Sequence, residues 1–306
     1  MQKQNNQQTS GNPIIKHKFT ADPTAIVHND SVYIFTGHDE APSGVEEYIM
    51  HDWLCFSSKD LVTWTEHPLL LKATDFKWAA DKAFASKVVE EKGDFFWYVA
   101  VKHALNSGTA IGVAKSKDLD TPFVDARGSA MITSDMLPDN TGTDNNDKAN
   151  LDPTVIVDTD GQVYIFWGNG KCYFAKLKEN MIEIDGPIKI IDLPEFEEGA
   201  HIHKRNEWYY LSYGYQMPEK VAYAMSRNIN GPWEFKGILN EIAGNAETNR
   251  PAIIDYKGKS YFIYHNGGLK NGSSHRRSVC IDYLHYNSDG TMKRVIMSSE
   301  GVDKVD

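Results

Sequence analysis

The chain has 306 residues, of which 41% are hydrophobic and 24% charged, and its formal net charge is -10 at pH 7. This composition is that of a globular protein with a sizeable core, and the acidic balance argues against nucleic acid as a partner because phosphate binding needs a basic face. A membrane partner is not expected either, because no stretch approaches the roughly 18 consecutive apolar residues that a spanning helix needs.

The first residues, MQKQNNQQTSGN, are polar throughout and show no signal-peptide pattern. We predict that residues 1–12 are a disordered or trimmed tail and that residues 13–306 form a single domain. The protein is expected to be cytoplasmic, or periplasmic or secreted if an export signal was removed. The sequence does not distinguish these locations and gives no oligomeric state.

A short apolar run, a turn and a second run rich in Tyr, Phe and Trp recur five times along the chain. The copies are ADPTAIVHNDSVYIF from Ala21, FASKVVEEKGDFFWY from Phe84, LDPTVIVDTDGQVYIF from Leu151, EGAHIHKRNEWYYL from Glu198 and RPAIIDYKGKSYFIYH from Arg250. Each copy is predicted to be a β-hairpin, because its turn contains residues that tolerate positive φ or bond their own backbone. The predicted turns are Asn29-Asp30, Lys92-Gly93, Asp160-Gly161, Arg205-Asn206 and Lys257-Gly258.

A second strand-turn-strand pattern follows each copy and would complete a unit of four strands. These patterns begin at Leu54, Ile111, Cys172, Val221 and Val279. Five such units with few amphipathic helix patterns predict an all-β fold, a five-bladed β-propeller whose small antiparallel sheets surround a central channel. The longest insertion, roughly from Met131 to Asn150, is predicted to be a surface loop near the mouth of the site.

Acidic residues begin the first strand of three copies, at Asp22, Asp152 and Glu198. Aligning the copies makes these positions equivalent to Ala85 and Arg250, and the innermost strands of a propeller line its axis, so the acids are expected to converge. Clustered acids raise one another's pKa and usually signal chemistry or a metal. Hydrolysis of a glycosidic bond needs one protonated carboxyl and one ionised carboxylate, and a third acid can tune the proton donor.

Structural roles are the competing interpretation of these acids. Asp22 and Asp152 could be turn aspartates that bond their own backbone before a strand. Glu198 has two acidic neighbours, Glu195 and Glu197, and only the alignment of the copies favours it over them.

The motifs ADPT, LDPT and EGAHIHKRNEWYYLSY, followed by YFIYHNGG, resemble family 43 of the glycoside hydrolases over nearly the whole chain. The resemblance implies a five-bladed propeller that inverts anomeric configuration and acts on oligo- or polysaccharides of the xylan and arabinoxylan type. It also implies that Asp22 is the general base, Glu198 the general acid, and Asp152 the residue that raises the pKa of the acid and orients it. The branch resembled contains β-xylosidases, α-L-arabinofuranosidases and proteins named endo-1,4-β-xylanase, and the sequence does not choose among them.

Candidate sugar-binding residues are His38, Trp78 and Arg277, because aromatic faces stack on sugar rings and guanidinium groups bind hydroxyls. Each of them could instead be part of the scaffold. Arg250 lies in Asn249-Arg250, where relatives commonly carry Asn-His. A cation there could contact sugar hydroxyls or pair with an acid.

The resemblance further implies that His265, in YFIYHNGG, helps to hold a structural calcium ion with waters in the central channel. A histidine whose nitrogens are satisfied within the core is the rival interpretation. Because calcium prefers oxygen ligands, one imidazole with waters would make a weak site.

Two other functions compete with hydrolysis. A catalytically silent glycan-binding propeller would keep aromatic platforms but would not need three acids together. A protein-interaction propeller would show a repeated Trp-Asp signature, which the copies lack. The sequence therefore favours an inverting glycosidase, in which the carboxyl groups of Asp22 and Glu198 would lie roughly 6.5 to 9.5 Å apart.

Overall fold

A computed structural model describes residues 6–8, 11–106, 108–139 and 147–306. These residues contain β-strands and two short 3-10 helices, Ala73–Asp75 and Ser134–Met136, but no α-helix. Within the same ranges, no helix has the length and apolar character needed to cross a bilayer. The strands form five antiparallel sheets around a common axis, which confirms the predicted five-bladed β-propeller.

The first two blades have their innermost strands at β2 and β7. The strands of the first blade are β1 (Asn6–Gln8), β2 (Thr20–His28), β3 (Ser31–His38), β4 (Asp52–Ser58), β5 (Thr63–Glu66) and β6 (Leu71–Lys72). Those of the second blade are β7 (Ala79–Glu91), β8 (Asp94–His103), β9 (Thr109–Ser116) and β10 (Val124–Asp125).

The other three blades have their innermost strands at β11, β15 and β19. The third blade has β11 (Thr154–Val157), β12 (Val163–Trp167), β13 (Cys172–Leu177) and β14 (Ile184–Ile191). The fourth has β15 (His201–Arg205), β16 (Trp208–Tyr215), β17 (Lys220–Ser226) and β18 (Glu234–Asn240). The fifth has β19 (Ala252–Tyr256), β20 (Lys259–Asn266) and β21 (Ser278–Leu284). Strands β2, β7, β11, β15 and β19 contact one another in sequence and close the ring.

The fifth blade differs from the prediction, because it has three strands instead of four. The residues expected to form its last strand make only an isolated bridge between Tyr286 and Met292. The outer edge of β21 is instead bonded by the segment that precedes β2. The N–H of Ile14 donates to the carbonyl of Val279 at 2.9 Å, and the side-chain amide of Asn12 donates to the carbonyl of Ile281 at 3.0 Å. The edge is therefore occupied by a segment far away in sequence.

The hairpin turns largely follow the predicted chemistry. Asn29 and Asp30 have φ values of 46° and 56° and link the paired residues His28 and Ser31, as a type I′ turn requires. The fourth hairpin is an exception, because its last pair joins Arg205 to Trp208. Its turn is therefore Asn206-Glu207, one residue later than predicted.

Among the described residues, five apolar clusters form the core, and each one lies between two neighbouring blades. The cluster between the fifth and first blades also contains Ile14, Ile15 and Val302. Burying these side chains between sheets supplies the main favourable free energy that closes the ring.

The predicted tail, residues 1–12, includes strand β1, which pairs with β5, and Asn12, whose side chain is hydrogen-bonded to β21. Residues 1–5, 9 and 10 lie outside the described part of the chain. The predicted insertion from Met131 to Asn150 contains a 3-10 helix and ends at the buried Asn150, and its residues 140–146 also lie outside the described part.

Replacing Leu211 by alanine should lower the free energy of unfolding by about 2 to 5 kcal/mol, because a buried leucine leaves a cavity. Leu211 is 0% exposed between the third and fourth blades. The matched control is Leu105→Ala, since Leu105 is 92% exposed and should change stability by less than about 0.5 kcal/mol. Urea unfolding followed by tryptophan fluorescence measures both, and equal effects would contradict this assignment of the core.

Candidate active site

The inner strands place equivalent positions of the blades around one end of the axis. Counting six residues back from the last paired residue of the hairpin gives Asp22, Ala85, Gly199 and Arg250 in the first, second, fourth and fifth blades. The predicted alignment is therefore correct for three of these blades. It is wrong by one residue in the fourth, because Gly199 and not Glu198 occupies the equivalent position.

Backbone conformation supports this equivalence. Asp22, Asp152 and Gly199 have φ values of 49°, 56° and 68°, in the left-handed region. This region is unfavourable for a residue with a side chain and persists where surrounding contacts hold it. One such contact joins two blades directly, because the N–H of Gly199 donates to Oδ2 of Asp152 at 2.9 Å. The turn that carries Glu198 is thus bonded to the carboxylate of Asp152.

The carboxyl group of Asp22 is buried and lies against a guanidinium group. Nη1 of Arg277 donates to Oδ1 of Asp22 at 3.0 Å, and Nδ1 of His265 lies 3.6 Å from the same oxygen. Burial alone would raise the pKa of Asp22, but its interactions with Arg277, His265 and Arg250 outweigh burial, and the net pKa is lowered. Asp22 is therefore ionised at neutral pH.

Arg277 is held in place by a second carboxylate. Its Nε and Nη2 donate to the two oxygens of Asp39 at 2.9 and 3.0 Å, and its Nη1 also donates to Oγ1 of Thr248 at 3.1 Å. The ring of Tyr48 packs against the guanidinium, 4.8 Å from its centroid. A guanidinium group that is hydrogen-bonded at this many points has a fixed orientation. The Arg277 side chain that pairs with Asp22 is therefore rigid.

Asp152 and Glu198 have the opposite electrostatic environment. Burial raises the pKa of Asp152 well above its usual range, and the charge of Glu198 raises it further. Burial, followed by the charge of Asp22, also raises the pKa of Glu198. Both carboxyl groups are therefore easier to protonate than an ordinary carboxyl group. The side-chain amide of Asn169 donates to Oε2 of Glu198 at 2.9 Å and orients this group.

The arrangement thus contains one carboxyl group whose pKa is lowered and two whose pKa values are raised. A general base and a general acid can act at the same pH only if their environments move their pKa values apart. Lys148, from the long insertion, is close enough to Glu198 to lower its pKa, although burial dominates. This segment therefore reaches the site.

Two of the predicted sugar-binding residues have described side-chain contacts within a single blade. Nδ1 of His38 lies 3.0 Å from Oδ1 of Asp52 on the neighbouring strand. The indole N–H of Trp78 donates to Asp125 at 3.1 Å, and its ring covers Gly112 on strand β9. Trp78 therefore packs on the second blade, whereas Arg277 contacts Asp22.

The described residues do not fit a calcium ion held by His265. The N–H of Asp22 donates to Nδ1 of His265 at 3.1 Å, and Nε2 lies 2.7 Å from the carbonyl of Thr248. Nε2 must then carry the proton, so neither nitrogen has a lone pair left for a metal. Burial and the charge of Arg277 lower the pKa of His265 to about 4, so the ring is neutral. Its observed contacts position the backbone of Asp22.

Glu219 is a further buried carboxyl that the sequence analysis missed. Its Oε2 accepts from the N–H of Asn249 at 2.6 Å, and its Oε1 has no hydrogen-bond partner among the described residues. Burial raises its pKa well above the usual range, and Glu198 raises it further. Glu219 precedes a strand in a polar turn, and polar turns are usually exposed, so no sequence signal marked it. Asn169 was missed for the same reason.

Comparisons with known proteins identify the family. The model of glycosyl hydrolases family 43 matches residues 10–292. The chain belongs to glycosyl hydrolase family 43. It is therefore a glycoside hydrolase, as the motifs predicted. An arabinoxylan arabinofuranohydrolase of Bacillus subtilis is 28% identical over 97% of this chain, which spans 66% of that protein.

Solved structures of family 43 enzymes share the fold. An α-L-arabinofuranosidase from Clostridium thermocellum is 31% identical with a TM-score of 0.79, over 95% of this chain and 98% of that one. A β-xylosidase/α-arabinofuranosidase from a compost microbial metagenome, solved with xylotriose in a calcium-free form, is 24% identical. Its TM-score is 0.82, over 94% of this chain and 98% of that one.

The substitution Glu198→Gln should lower the pKa of Asp152 in this family 43 enzyme, because it removes the charge that disfavours ionisation of Asp152. Carbon-detected NMR titration of labelled aspartate carboxyls measures the shift, with Asp152→Asn used to assign the signal. Glu197→Gln is the matched control, one residue away. An unchanged Asp152 titration in Glu198→Gln, or an equal shift in the control, would contradict the geometry.

Proposed function

We propose that the protein releases pentose units from arabinoxylan-type hemicellulose by a single inverting displacement, with Asp22 as general base, Glu198 as general acid and Asp152 as the residue that tunes and orients the acid. The observation that carries the proposal is the pairing of Asp22 with Arg277, which lowers the pKa of Asp22, at a site where burial raises the pKa values of Asp152 and Glu198.

In this mechanism Asp22 accepts a proton from a water molecule that attacks the anomeric carbon. Glu198 donates its proton to the departing oxygen on the opposite side of the sugar. The hydrogen bond from the N–H of Gly199 holds the Asp152 carboxyl group in place, and in this proposal Glu198 supplies the transferred proton. Arg277 keeps Asp22 ionised and fixes its orientation. The step assigns no role to a metal ion.

α-L-Arabinofuranosides are the substrates we propose first. The relative from Bacillus subtilis is an arabinoxylan arabinofuranohydrolase, and the solved enzyme from Clostridium thermocellum is an α-L-arabinofuranosidase. β-D-Xylosides are the alternative, since the compost enzyme has both activities by name. Initial rates on aryl α-L-arabinofuranoside, aryl β-D-xyloside and xylan compare the three.

The substitutions Asp22→Asn and Glu198→Gln should each lower kcat by about 100-fold to 10,000-fold, because general acid and base groups contribute this much. Glu198→Gln should be less damaging on an aryl glycoside with a good leaving group, since that group needs little protonation. The controls are Asp160→Asn and Glu197→Gln, whose side chains are outside the proposed chemistry. Turnover at the level of the parent protein in both active-site variants would rule out the mechanism.

The rate should depend on pH as a bell. Because the pKa of Asp22 is lowered from its ordinary 3.8, the acid limb should lie below that value. Because the pKa of Glu198 is raised from 4.5, the alkaline limb should lie above it. The pH profile of kcat/KM measures both limbs. An alkaline limb below pH 4.5 would contradict Glu198 as the acid.

The product should have the opposite anomeric configuration to the substrate. Proton NMR of the anomeric signal in the first minutes of hydrolysis, before mutarotation, distinguishes the two products. Retention would indicate a covalent intermediate and would contradict a general base at Asp22.

A further inference from the structure

Arg250 extends from the fifth blade into the axis and bonds the backbone of three other blades. Its Nη1 donates to the carbonyl of Ser86 at 2.9 Å and to that of Pro23 at 3.4 Å. Its Nη2 donates to the carbonyl of Pro153 at 2.7 Å. The side chain is almost completely enclosed, with 3% of the residue exposed. One guanidinium thus connects the first, second, third and fifth blades.

Two of these carbonyls directly follow the proposed catalytic aspartates. Pro23 follows Asp22 and Pro153 follows Asp152, and both aspartates have the unfavourable left-handed φ described above. A strained turn keeps its conformation only where neighbouring contacts hold it. Both turns are held by the same planar group, which fixes their distance and relative orientation.

We propose that Arg250 is a positioning residue that clamps the Asp22-Pro23 and Asp152-Pro153 turns together and is the resident cation of the propeller axis, so that the site requires no bound divalent cation. The inference rests on the proposed function, in which Asp22 and Asp152 are catalytic.

The charge of Arg250 acts on the groups around it. It lowers the pKa of Asp22. Burial, which raises this pKa, has a larger effect, and so do Arg277 and His265, which lower it. It also lowers the pKa of Asp152, against burial and Glu198. Burial lowers the pKa of the enclosed Lys87, and the charge of Arg250 lowers it further, to about 8. A fixed positive charge is therefore already present where acids converge.

The same contacts leave little for a divalent cation. Calcium takes oxygen ligands, and the inward carbonyls of Pro23, Ser86 and Pro153 are already hydrogen-bonded to Arg250. Both nitrogens of His265 are also engaged. A second cation beside the guanidinium would add repulsion between like charges.

The first test uses the parent protein and needs no variant. Activity and the melting temperature are measured after treatment with EDTA and again after addition of CaCl2, on the aryl glycoside that the protein turns over. We expect both to stay unchanged. Loss of activity or of melting temperature with EDTA, followed by recovery with calcium, would overturn the proposal.

The second test separates position from charge. Arg250→Met removes both the planar guanidinium group and its positive charge, whereas Arg250→Lys removes the guanidinium group and keeps a positive charge. Arg227→Met is the control on the surface. We expect kcat to fall about 100-fold in Arg250→Met, because small misplacements of reacting groups have effects of this size, while KM changes little. Arg250→Lys should also lose kcat, because an ammonium cannot bond three carbonyls in the plane of the fork.

The pH profile gives a readout that a merely structural role would not move. Asp22 is faced by Arg277 with Asp39, by His265, by Arg250 and by Glu198. Removing the charge of Arg250 should move the acid limb of kcat/KM to higher pH in Arg250→Met, and less in Arg250→Lys. Parent values of kcat and of the acid limb in folded Arg250→Met would overturn the proposal. If that variant does not fold, Arg250→Lys and the metal test decide.

Asp22→Asn and Glu198→Gln are measured beside these variants. If both retain full turnover, the proposed function itself fails. If both are inactive while the Arg250 variants behave like the parent protein, only the role of Arg250 fails.

Discussion

Buried charge pairing at one end of the axis is the constraint on which the rest of the site depends. Asp22, Asp39 and Asp152 are removed from water, and the guanidinium groups of Arg277 and Arg250 lie among them. Buried charges are tolerated only where partners and hydrogen bonds replace water. Because these five residues come from the first, third and fifth blades, charge compensation and closure of the ring require each other.

The pKa values of Asp22 and Asp152 differ because the guanidinium groups of Arg277 and Arg250 contact them differently. Asp22 accepts a hydrogen bond from Arg277, whereas the guanidinium of Arg250 bonds the backbone after Asp152 and not its carboxylate. Asp152 accepts only a backbone N–H among its described hydrogen bonds. The same residue type therefore has a lowered pKa in the first blade and a raised one in the third. The pKa values of these related sequence motifs shift in opposite directions because of what the other blades supply.

Much of the fold could be predicted because a β-hairpin is a local structure. Tight turns such as Asn29-Asp30 and the repeated Asp-Pro-Thr need only neighbouring residues to specify them, and the five copies follow from them. The features that were missed depend on distant parts of the chain. The edge of β21 is occupied by residues 12–14. Glu198 lies one residue before the equivalent position, which is taken by Gly199, whose N–H donates to Asp152. His265 and Arg250 likewise have partners far away in sequence.

Closure of the ring lies between the fifth and first blades, where no short loop connects the neighbouring sheets. The N–H of Thr20 donates to the carbonyl of Arg277 at 2.8 Å across this seam, and the bond between Arg277 and Asp22 crosses it as well. Proteins open locally in cooperative units before they unfold completely. Opening at this seam would separate Asp22 from Arg277 while the other blades stayed intact. The loss of turnover on heating would therefore precede the loss of β-structure.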